Sequence, residues 1–453
     1  MRTPGWGSND LIPLLRKTET YQVSGGDGPT HGTDGPLKVS LAVDDCAEQF
    51  LQDLSTINVD AQVDKRKTGV RSDVPHHLIY PLEETRPNLH ILTGIQCEAL
   101  YNRATALRSR TTPIHPDGPT ETRIVRGTGS WVLCAGSFGT PGILERSGIG
   151  SKRVDLPGVG ENYQDHNVLF VPYFSADEAQ TLDAIFRNDE SAVEAATAEL
   201  EKTGKGLMAH NGLGAGIKWR PDPSELAEFG PEFKKVWDDY FANAPDKPVT
   251  WLGIMLVGDA TQVPPRKYFM VGVNTEYPVA RGHVHITHSE DVSAPIDFVP
   301  GYLESMADVK TLTWGYKFSR EIARRMPYFR GEPAARHPAF APGSAAAIIP
   351  HAEGHIAFDT PRIEYSEEDE RALETFARAT ISTTWHALGT CAMKPRKQGG
   401  VVDSRLNVYG VRGLKVADLS IGPCNVSANT YSTALVIGEK AAVIIAEELD
   451  IKG

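Results

Sequence analysis

Residues 130–150 read "SWVLCAGSFGTPGILERSGIG", and they predict a buried strand followed at once by a helix. The first part, "SWVLCAG", is a short apolar run that ends in glycine, as expected of a strand buried on both faces of an α/β sheet. Pro141 suits the first turn of the helix that follows, because proline lacks an N–H group that would be left unpaired there. This stretch therefore predicts an α/β fold.

The same α/β pattern is predicted elsewhere along the chain and at its end. The segment "NLHILTG" (residues 88–94) has the composition of a strand, and "GIQCEAL" (residues 94–100) continues in the same way. Near the end, "GLKVAD" (residues 413–418) predicts another strand, and residues 432–449 predict a final helix. Strands of one type on both sides of a long insertion indicate a discontinuous domain.

The middle of the chain has a different pattern. Residues 188–206 predict a solvated helix that ends at Gly204. Two amphipathic helices are predicted to begin at Ser305 and Ser366, each with an aspartate three residues later, as in a capping box. The segment "ARGHVHITHS" (residues 280–289) predicts a strand of an antiparallel sheet. These elements predict an α+β insertion.

Composition excludes several classes of protein. The chain of 453 residues has a net charge of −12 and no basic stripe, which argues against binding to nucleic acid or to anionic membranes. No apolar run approaches the eighteen or so residues that span a bilayer. Neither a signal peptide nor a peroxisomal SKL-type ending is present, so we expect an intracellular, cytoplasmic location. Five cysteines without CxxC spacing predict neither a disulfide framework nor a zinc site.

Three histidines in "GHVHITH" raise the possibility of a metal site. In a strand, His283 and His285 share one face and His288 falls on the other, so only two could contact one metal ion. No carboxylate or cysteine nearby in the sequence completes the set. We therefore predict no metal centre.

The segment "CAGSFG" resembles the nucleophile elbow of α/β hydrolases. Ser137 occupies a tight turn between strand and helix, and His386 with Asp403 or Asp418 could complete a triad. The acid would then follow the histidine, which reverses the hydrolase order of serine, acid and histidine. Small residues are also needed wherever a strand turns sharply against another backbone. The hydrolase interpretation is therefore the weaker one.

The C-terminal part offers a different combination of groups. His386 is followed by Gly389, whose backbone is unrestricted, and Asn429 stands at the start of the last predicted helix. The free N–H groups of a helix N-terminus favour an anion, or a ring that becomes anionic. A reduced flavin is such a ring.

Five segments resemble the GMC (glucose–methanol–choline) flavin oxidoreductases, in the form seen in the fungal alcohol (methanol) oxidase branch. Residues 136–150 match the second signature of that family, and residues 155–166 resemble the segment that follows it. The family's C-terminal block resembles residues 383–393, 399–423 and 429–442. The resemblance extends over nearly the whole chain.

This resemblance implies the oxidation of a primary alcohol to an aldehyde. His386 would take the hydroxyl proton while hydride passes to the flavin, and Asn429 would hold the substrate oxygen by a hydrogen bond. A neutral imidazole suits a base at neutral pH, and an amide can orient an oxygen without competing for its proton. Trp385 would form a wall of the pocket. Reoxidation of FAD by O₂ would give hydrogen peroxide.

The resemblance also implies contacts with FAD. Asp418 and Leu419 would lie at its ribityl–phosphate region, and Thr430 with Asn429 would face its ring. The backbone of Cys97 would touch adenine. These five positions are the predicted cofactor site.

The sequence departs from the family at its beginning. The family opens with a βαβ unit that carries G-x-G-x-x-G and binds the pyrophosphate, and no segment of this sequence fits that pattern. We therefore expect an incomplete, truncated flavin domain and weak FAD binding by the chain alone. Three alternatives follow from this expectation. A second chain supplies the βαβ unit, the chain forms a homo-oligomer, or the protein is a pseudoenzyme without cofactor.

The expected fold is α/β plus α+β. Residues 70–170 and 383–453 would form the discontinuous flavin-binding domain, and residues 171–382 the inserted substrate-binding domain with its antiparallel sheet. Residues 1–69 would be a remnant that packs on both domains. A tailoring alcohol oxidase or dehydrogenase of a fungal secondary-metabolite pathway, acting on a larger alcohol, is the alternative function.

Overall fold

The computed structural model describes residues 3–22, 28–41, 60–61, 71–83, 85–103, 106–113, 123–127, 129–150, 152–209, 212–258 and 265–451. The α-helices in these ranges are α1 (Ser8–Thr18), α2 (Tyr80–Glu83), α3 (Gly136–Arg146), α4 (Asp183–Phe186), α5 (Glu190–Thr203), α6 (Pro223–Leu226), α7 (Gly230–Val236), α8 (Met306–Arg325), α9 (Glu367–Thr380) and α10 (Tyr431–Glu448). None of the helices in these ranges combines the length and the apolar character needed to cross a lipid bilayer.

The strands in the same ranges are β1 (Glu19–Tyr21), β2 (Leu37–Leu41), β3 (Asp60–Ala61), β4 (Ile95–Arg103), β5 (Ala106–Pro113), β6 (Arg123–Arg126), β7 (Trp131–Leu133), β8 (Ile149–Gly150), β9 (Val154–Asp155), β10 (Asn167–Phe174), β11 (Leu213–Trp219), β12 (Thr250–Met255), β13 (Tyr268–Thr275), β14 (His283–Ile286), β15 (Ile296–Val299), β16 (Ser382–Thr383) and β17 (Leu414–Val416).

The largest sheet is antiparallel and has the strand order β11-β12-β13-β10-β16. Helix α8 packs against its central strands, and alternating apolar side chains of β10 and β13 point into the interface. The resulting core consists of residues between 169 and 377. Trp314 and Tyr316 of α8 and Val271 and Val273 of β13 are among its buried members. An antiparallel sheet is therefore present in the middle region, as predicted, but the segment that was predicted to belong to it, residues 280–289, lies outside it.

A second core lies around the short parallel pair β7 and β17. Leu414 pairs with Trp131 and Val416 with Leu133, so β7 is joined to a strand some 280 residues later in the sequence. Helices α3 and α10 contribute Leu144 and Ile437 to this core, whose buried members all lie at 100–159 and 391–444. Two regions far apart in the sequence therefore share one core.

Two strand predictions need correction. The strand at residues 130–136 is not buried on both faces, because Val132 is 40% exposed and only β17 pairs with β7 among the described residues. Residues 88–94 form no strand. Leu92 is 69% exposed, because nothing in the described ranges covers this apolar segment, and regular pairing begins only at Ile95.

The histidine-rich strand also differs from expectation in its surroundings. β14 is antiparallel, as predicted, but its partner is β15 alone, and the pair is separate from the five-stranded sheet. This hairpin packs on α3, where Phe298 lies 5.1 Å from Phe138 and 4.9 Å from Tyr163 between ring centroids. The hairpin therefore connects the α+β insertion with helix α3.

Helix ends follow the predicted residues with two exceptions. Pro141 lies inside α3, which begins at Gly136, and not in its first turn. α5 ends at Gly204, which takes the left-handed conformation that glycine permits. The side chain of Ser305 caps α8, but Asp308 does not close a capping box. Its carboxylate instead accepts hydrogen bonds from the backbone N–H groups of Val279 and Ala280. The predicted box is complete at Ser366 and Asp369, before α9.

Loss of that capping box is expected to cost about 1 kcal/mol of unfolding free energy. Ser366→Ala removes the hydroxyl that accepts from the N–H of Asp369, while Ser366→Thr keeps a hydroxyl in place. Chemical denaturation of both variants and the parent chain measures the difference. Equal losses from the two substitutions would show that the cap contributes nothing specific.

Candidate functional site

The strand pair β10 and β16 positions the predicted base. Asn167 lies opposite Thr383, and Val168 lies opposite Ser382. His166, just before β10, therefore meets the residues just after β16. The chain then turns at Trp385, which has a left-handed φ of 61°, and places His386 beside His166.

His386 is held through one of its two ring nitrogens. Its Nδ1 lies 2.8 Å from Nδ1 of His166 and 2.9 Å from the hydroxyl oxygen of Thr384. The two imidazole rings are nearly perpendicular, at 88°, with centroids 5.0 Å apart. Nε2 of His386 has no hydrogen-bond partner among the described residues. Burial lowers the pKa of His386, so the ring is neutral at neutral pH.

A buried carboxylate fixes the backbone around the base. Asp165 is 1% exposed, and one of its oxygens accepts a hydrogen bond of 3.1 Å from the N–H of His386. The surrounding hydroxyl groups that donate to this carboxylate belong to Tyr163, Tyr302, Thr383 and Thr384. Burial, with the added charge of Asp165, raises the pKa of Tyr302 to about 12, which keeps its phenol protonated as a donor.

Backbone freedom is required directly after the base. Gly389 has a φ of 97°, and a Cβ there would lie 2.5 Å from the carbonyl oxygen of Asn162. The peptide next to it completes an antiparallel bridge, in which Gln164 and Leu388 exchange backbone hydrogen bonds. The predicted role of Gly389 as a permissive residue is therefore confirmed.

The other predicted residues after His386 lie around the loop that leads into α10. The carboxylate of Asp418 accepts from the N–H of Gly136 at 3.0 Å and from the hydroxyl of Thr140 at 2.6 Å, and so ties β17 to the start of α3. Thr430 is buried directly before α10, and Asn429 beside it is exposed. The side chain of Asn429 has no hydrogen bond to another described residue.

Two further predicted residues stand apart from this group. Trp385 is 77% exposed, and its ring centroid lies 6.5 Å from that of Phe170. Cys97 lies half-buried in β4, with Sγ 3.1 Å from the hydroxyl oxygen of Ser109. Neither side chain makes a hydrogen bond to the ring of His386.

A mainly apolar cavity of about 740 Å³ lies between the start of α1 and the loop before α10. The cavity includes Leu388, two residues after the base, and Val426, whose carbonyl oxygen lies 2.8 Å from Nε2 of His166. Its apolar lining residues include Trp6, Leu388, Met393, Leu419, Ile421 and Val436. A flat ring system with few polar edges suits such a lining. The dimethylbenzene part of a flavin ring has this chemistry, and of the predicted cofactor residues Leu419 lines the cavity.

The two competing sites lack the required arrangement. Ser137 donates its hydroxyl proton to the carbonyl oxygen of Ala387, at 2.8 Å, and makes no hydrogen bond to His386. His285 has carboxylates nearby, contrary to expectation, because Glu145 and Glu161 lie 2.6 Å and 3.1 Å from its ring nitrogens. Even so, no three metal-binding side chains in the described ranges are grouped as a metal ion requires.

Sequence reasoning missed His166, Asp165 and Thr384 as site residues. His166 and Asp165 are the last two residues of the segment "DLPGVGENYQDH". That segment carried part of the family resemblance, but neither residue was assigned a role. An aspartate and a histidine directly before an apolar strand were the available signal, since buried polar residues need partners. Their partner, however, stands 220 residues later in the sequence.

Comparisons with known proteins show which proteins this chain resembles. Family models described as GMC oxidoreductase match residues 37–168 and 278–438. The chain is 36% identical to an alcohol oxidase of Pichia angusta, over 99% of this chain and 79% of the relative. It is also similar to two solved structures, a formate oxidase of Aspergillus oryzae RIB40 and an FAD-dependent oxidoreductase of Chaetomium thermophilum. The formate oxidase has a TM-score of 0.77 and 20% sequence identity, and the match covers 99% of this chain and 79% of the oxidase chain. The Chaetomium thermophilum enzyme has a TM-score of 0.76 and 22% sequence identity, and the match covers 99% of this chain and 82% of that enzyme's chain.

Proposed function

The chain belongs to the GMC oxidoreductase family, and on that basis we propose that it oxidises a primary alcohol to an aldehyde with FAD as cofactor and O₂ as electron acceptor. Hydrogen peroxide is the second product. The relative of 36% identity that is named an alcohol oxidase supports the CH–OH group as the point of reaction. When bound, FAD supplies the hydride acceptor and passes the electrons to O₂.

One observation carries the proposal: His386 has a neutral ring with one nitrogen held and the other free. Nδ1 is engaged by His166 and Thr384, while Nε2 has no partner in the described part of the chain. A neutral imidazole with an available lone pair accepts the proton of an alcohol at neutral pH. In this proposal, Nε2 of His386 takes the hydroxyl proton.

Asn429 has the chemistry to hold the substrate oxygen. Its amide N–H donates to an alcohol oxygen without competing for the proton that His386 accepts. The loop that carries Asn429 is tied to the base, since the carbonyl oxygen of Val426 is bound by His166. Trp385, next to the base and largely exposed, would form a wall of the alcohol pocket.

Of the residues that would hold FAD, Leu419 lines the cavity of about 740 Å³. Leu419 would contact the flavin there, and Thr430 with the first N–H groups of α10 would face its polar edge, where a helix N-terminus favours negative charge. The carboxylate of Asp418 is already occupied by Gly136 and Thr140, so this residue would act by shaping the site. The backbone of Cys97 is assigned to the adenine.

The two apolar cores support the proposed division of the chain. One core consists only of residues between 169 and 377, within the proposed substrate-binding domain of residues 171–382 and its first strand. The other uses residues at 100–159 and 391–444, within the proposed flavin-binding domain of residues 70–170 and 383–453. In the N-terminal segment of residues 1–69, Trp6 donates its indole N–H to the carbonyl of Ser404, at 2.9 Å, on the side of the proposed flavin-binding domain.

A panel of alcohols tests the proposed activity. Hydrogen peroxide formation is measured with the FAD-loaded protein and short primary, secondary, aromatic and long-chain alcohols. The proposal requires that a primary alcohol is turned over with equal amounts of aldehyde and peroxide. Turnover confined to large alcohols would favour the tailoring oxidase, and no turnover in a protein that binds FAD would contradict the proposal.

Asn429→Ala is expected to lower kcat/KM by about ten-fold, since one net hydrogen bond contributes roughly 0.5–1.5 kcal/mol. Asn429→Asp keeps the size of the side chain but removes its donor, so it should lose at least as much. Steady-state peroxide assays on both variants provide the measurement. Full activity in Asn429→Ala would remove this residue from the site.

A further inference from the structure

The contact between His166 and His386 determines which nitrogen of each ring carries a proton. Nε2 of His166 lies 2.8 Å from the carbonyl oxygen of Val426. A carbonyl can only accept, so this nitrogen must carry the hydrogen and donate it. The Nδ1 atoms of the two rings are 2.8 Å apart, so one of them must be a donor and the other an acceptor.

The charge state of His166 decides between these two arrangements. The side chain is 1% exposed, and burial, followed by the neighbouring ring of His386, lowers its pKa to about 4. A neutral ring that carries its proton on Nε2 has a lone pair on Nδ1. Nδ1 of His166 is therefore the acceptor, and Nδ1 of His386 is the donor.

We propose that His166 is a positioning residue that holds His386 in the tautomer with its proton on Nδ1 and its lone pair on Nε2. This inference rests on the proposed function, because only a base needs that lone pair. His166 is buried and forms a direct hydrogen bond with the ring of His386. Its other ring nitrogen, Nε2, is held by the carbonyl oxygen of Val426.

Thr384 supports the same tautomer but cannot impose it. Its hydroxyl oxygen lies 2.9 Å from Nδ1 of His386 and 3.2 Å from the carboxylate of Asp165. When the hydroxyl donates to that carboxylate, its oxygen accepts from the imidazole. A hydroxyl can also rotate and donate to an unprotonated Nδ1. His166 is the partner that cannot reverse its role without becoming a buried cation.

Loss of the acceptor on His166 would allow the wrong tautomer. In water, the neutral imidazole of histidine prefers to carry its proton on Nε2. In that form, Nε2 of His386 would be a donor and could not accept the proton of an alcohol. The variant would still bind alcohol through the rest of the pocket, so kcat should fall while KM changes little.

Two substitutions separate the two nitrogens of His166. The amide of His166→Asn can place an acceptor near the position of Nδ1. The longer amide of His166→Gln can place a donor near the position of Nε2, where it keeps the bond to Val426 and supplies no acceptor to His386. If His166 only holds Val426, His166→Gln should preserve its role better than His166→Asn. If His166 controls the tautomer of His386, His166→Asn should preserve its role better.

The deciding measurement is ¹⁵N NMR of the histidine side chains, with the signals of His386 identified by their loss in His386→Gln. It is made on the full chain without added cofactor, so it does not depend on enzymatic activity. In the unsubstituted chain, the proton is expected on Nδ1 of His386. It should stay there in His166→Asn and move to Nε2 in His166→Gln, with thermal unfolding curves to verify that both variants fold.

Alcohol oxidation by the FAD-loaded variants gives the second measurement. His166→Gln should lose about a hundred-fold in kcat, as for removal of a general base, and His166→Asn should recover most of that loss. A proton on Nε2 of His386 in the unsubstituted chain would overturn the proposal even if neither variant folds. An unchanged tautomer in folded His166→Gln would also overturn it. If the tautomer responds as expected but no alcohol is oxidised by any form, the proposed function fails while the role of His166 in setting the tautomer stands.

Discussion

His386→Ala is expected to slow alcohol oxidation by about a hundred- to ten-thousand-fold, because a positioned general base typically contributes that factor. Nε2 is the atom that matters, since it has no partner among the described residues and Nδ1 is already bound to His166 and Thr384. The apparent affinity for alcohol should change much less, as the imidazole acts mainly in the transition state. Single-turnover reduction of the FAD-loaded protein by alcohol separates the two quantities.

Two further variants make the result on His386 interpretable. His351→Ala removes an exposed histidine that lies outside the site and should leave the rate unchanged. His386→Gln keeps a polar side chain without a basic nitrogen, so it should be nearly as slow as His386→Ala. Small and equal effects from His386→Ala and Asn429→Ala would mean that another group accepts the proton.

Glu332→Ala is expected to destabilise the chain by about 3–5 kcal/mol, because it leaves a buried guanidinium without its counter-ion. Arg320 and Glu332 are both fully buried, and two N–H groups of the arginine bond the two carboxylate oxygens at 2.7 Å and 2.8 Å. Their pairing raises the pKa of Arg320 and lowers that of Glu332. Chemical denaturation of the parent chain and the variant measures the loss.

A double variant distinguishes loss of the pair from loss of packing. Arg320→Met combined with Glu332→Leu removes both charges and keeps apolar volume, so it should recover much of the stability lost in Glu332→Ala. The backbone carbonyls of Ala346 and Ala347, which the guanidinium also binds, would lose their partner and limit the recovery. A loss below 1 kcal/mol in Glu332→Ala would mean that water reaches the arginine.

Local patterns in the sequence were sufficient for much of the fold. The strand-to-helix turn before α3, the cap at Ser366 and the strand β17 depend on residues that are neighbours in sequence. Residues 88–94 show the limit of this reasoning. Their composition suits a strand, but a strand forms only when another one pairs with it, and none does so in the described ranges.

The site was predictable in part. His386 and the helix start at Thr430 came from the family resemblance, and the freedom of Gly389 came from its residue type. The role of His166 could not be inferred, because its contact with His386 depends on the register of β10 against β16. A shift of one residue in that register would turn alternate side chains to the opposite face of the sheet.

Every group that holds the base stands at one end of the outermost strand pair of the five-stranded sheet. Asp165 and His166 come just before β10, and Thr384 comes just after β16. The described residues between 175 and 381 include the rest of that sheet, and they supply none of the hydrogen bonds to the ring of His386. Substitutions in this segment that leave Tyr302 and strand β13 in place should therefore keep every hydrogen bond to the ring of the proposed base.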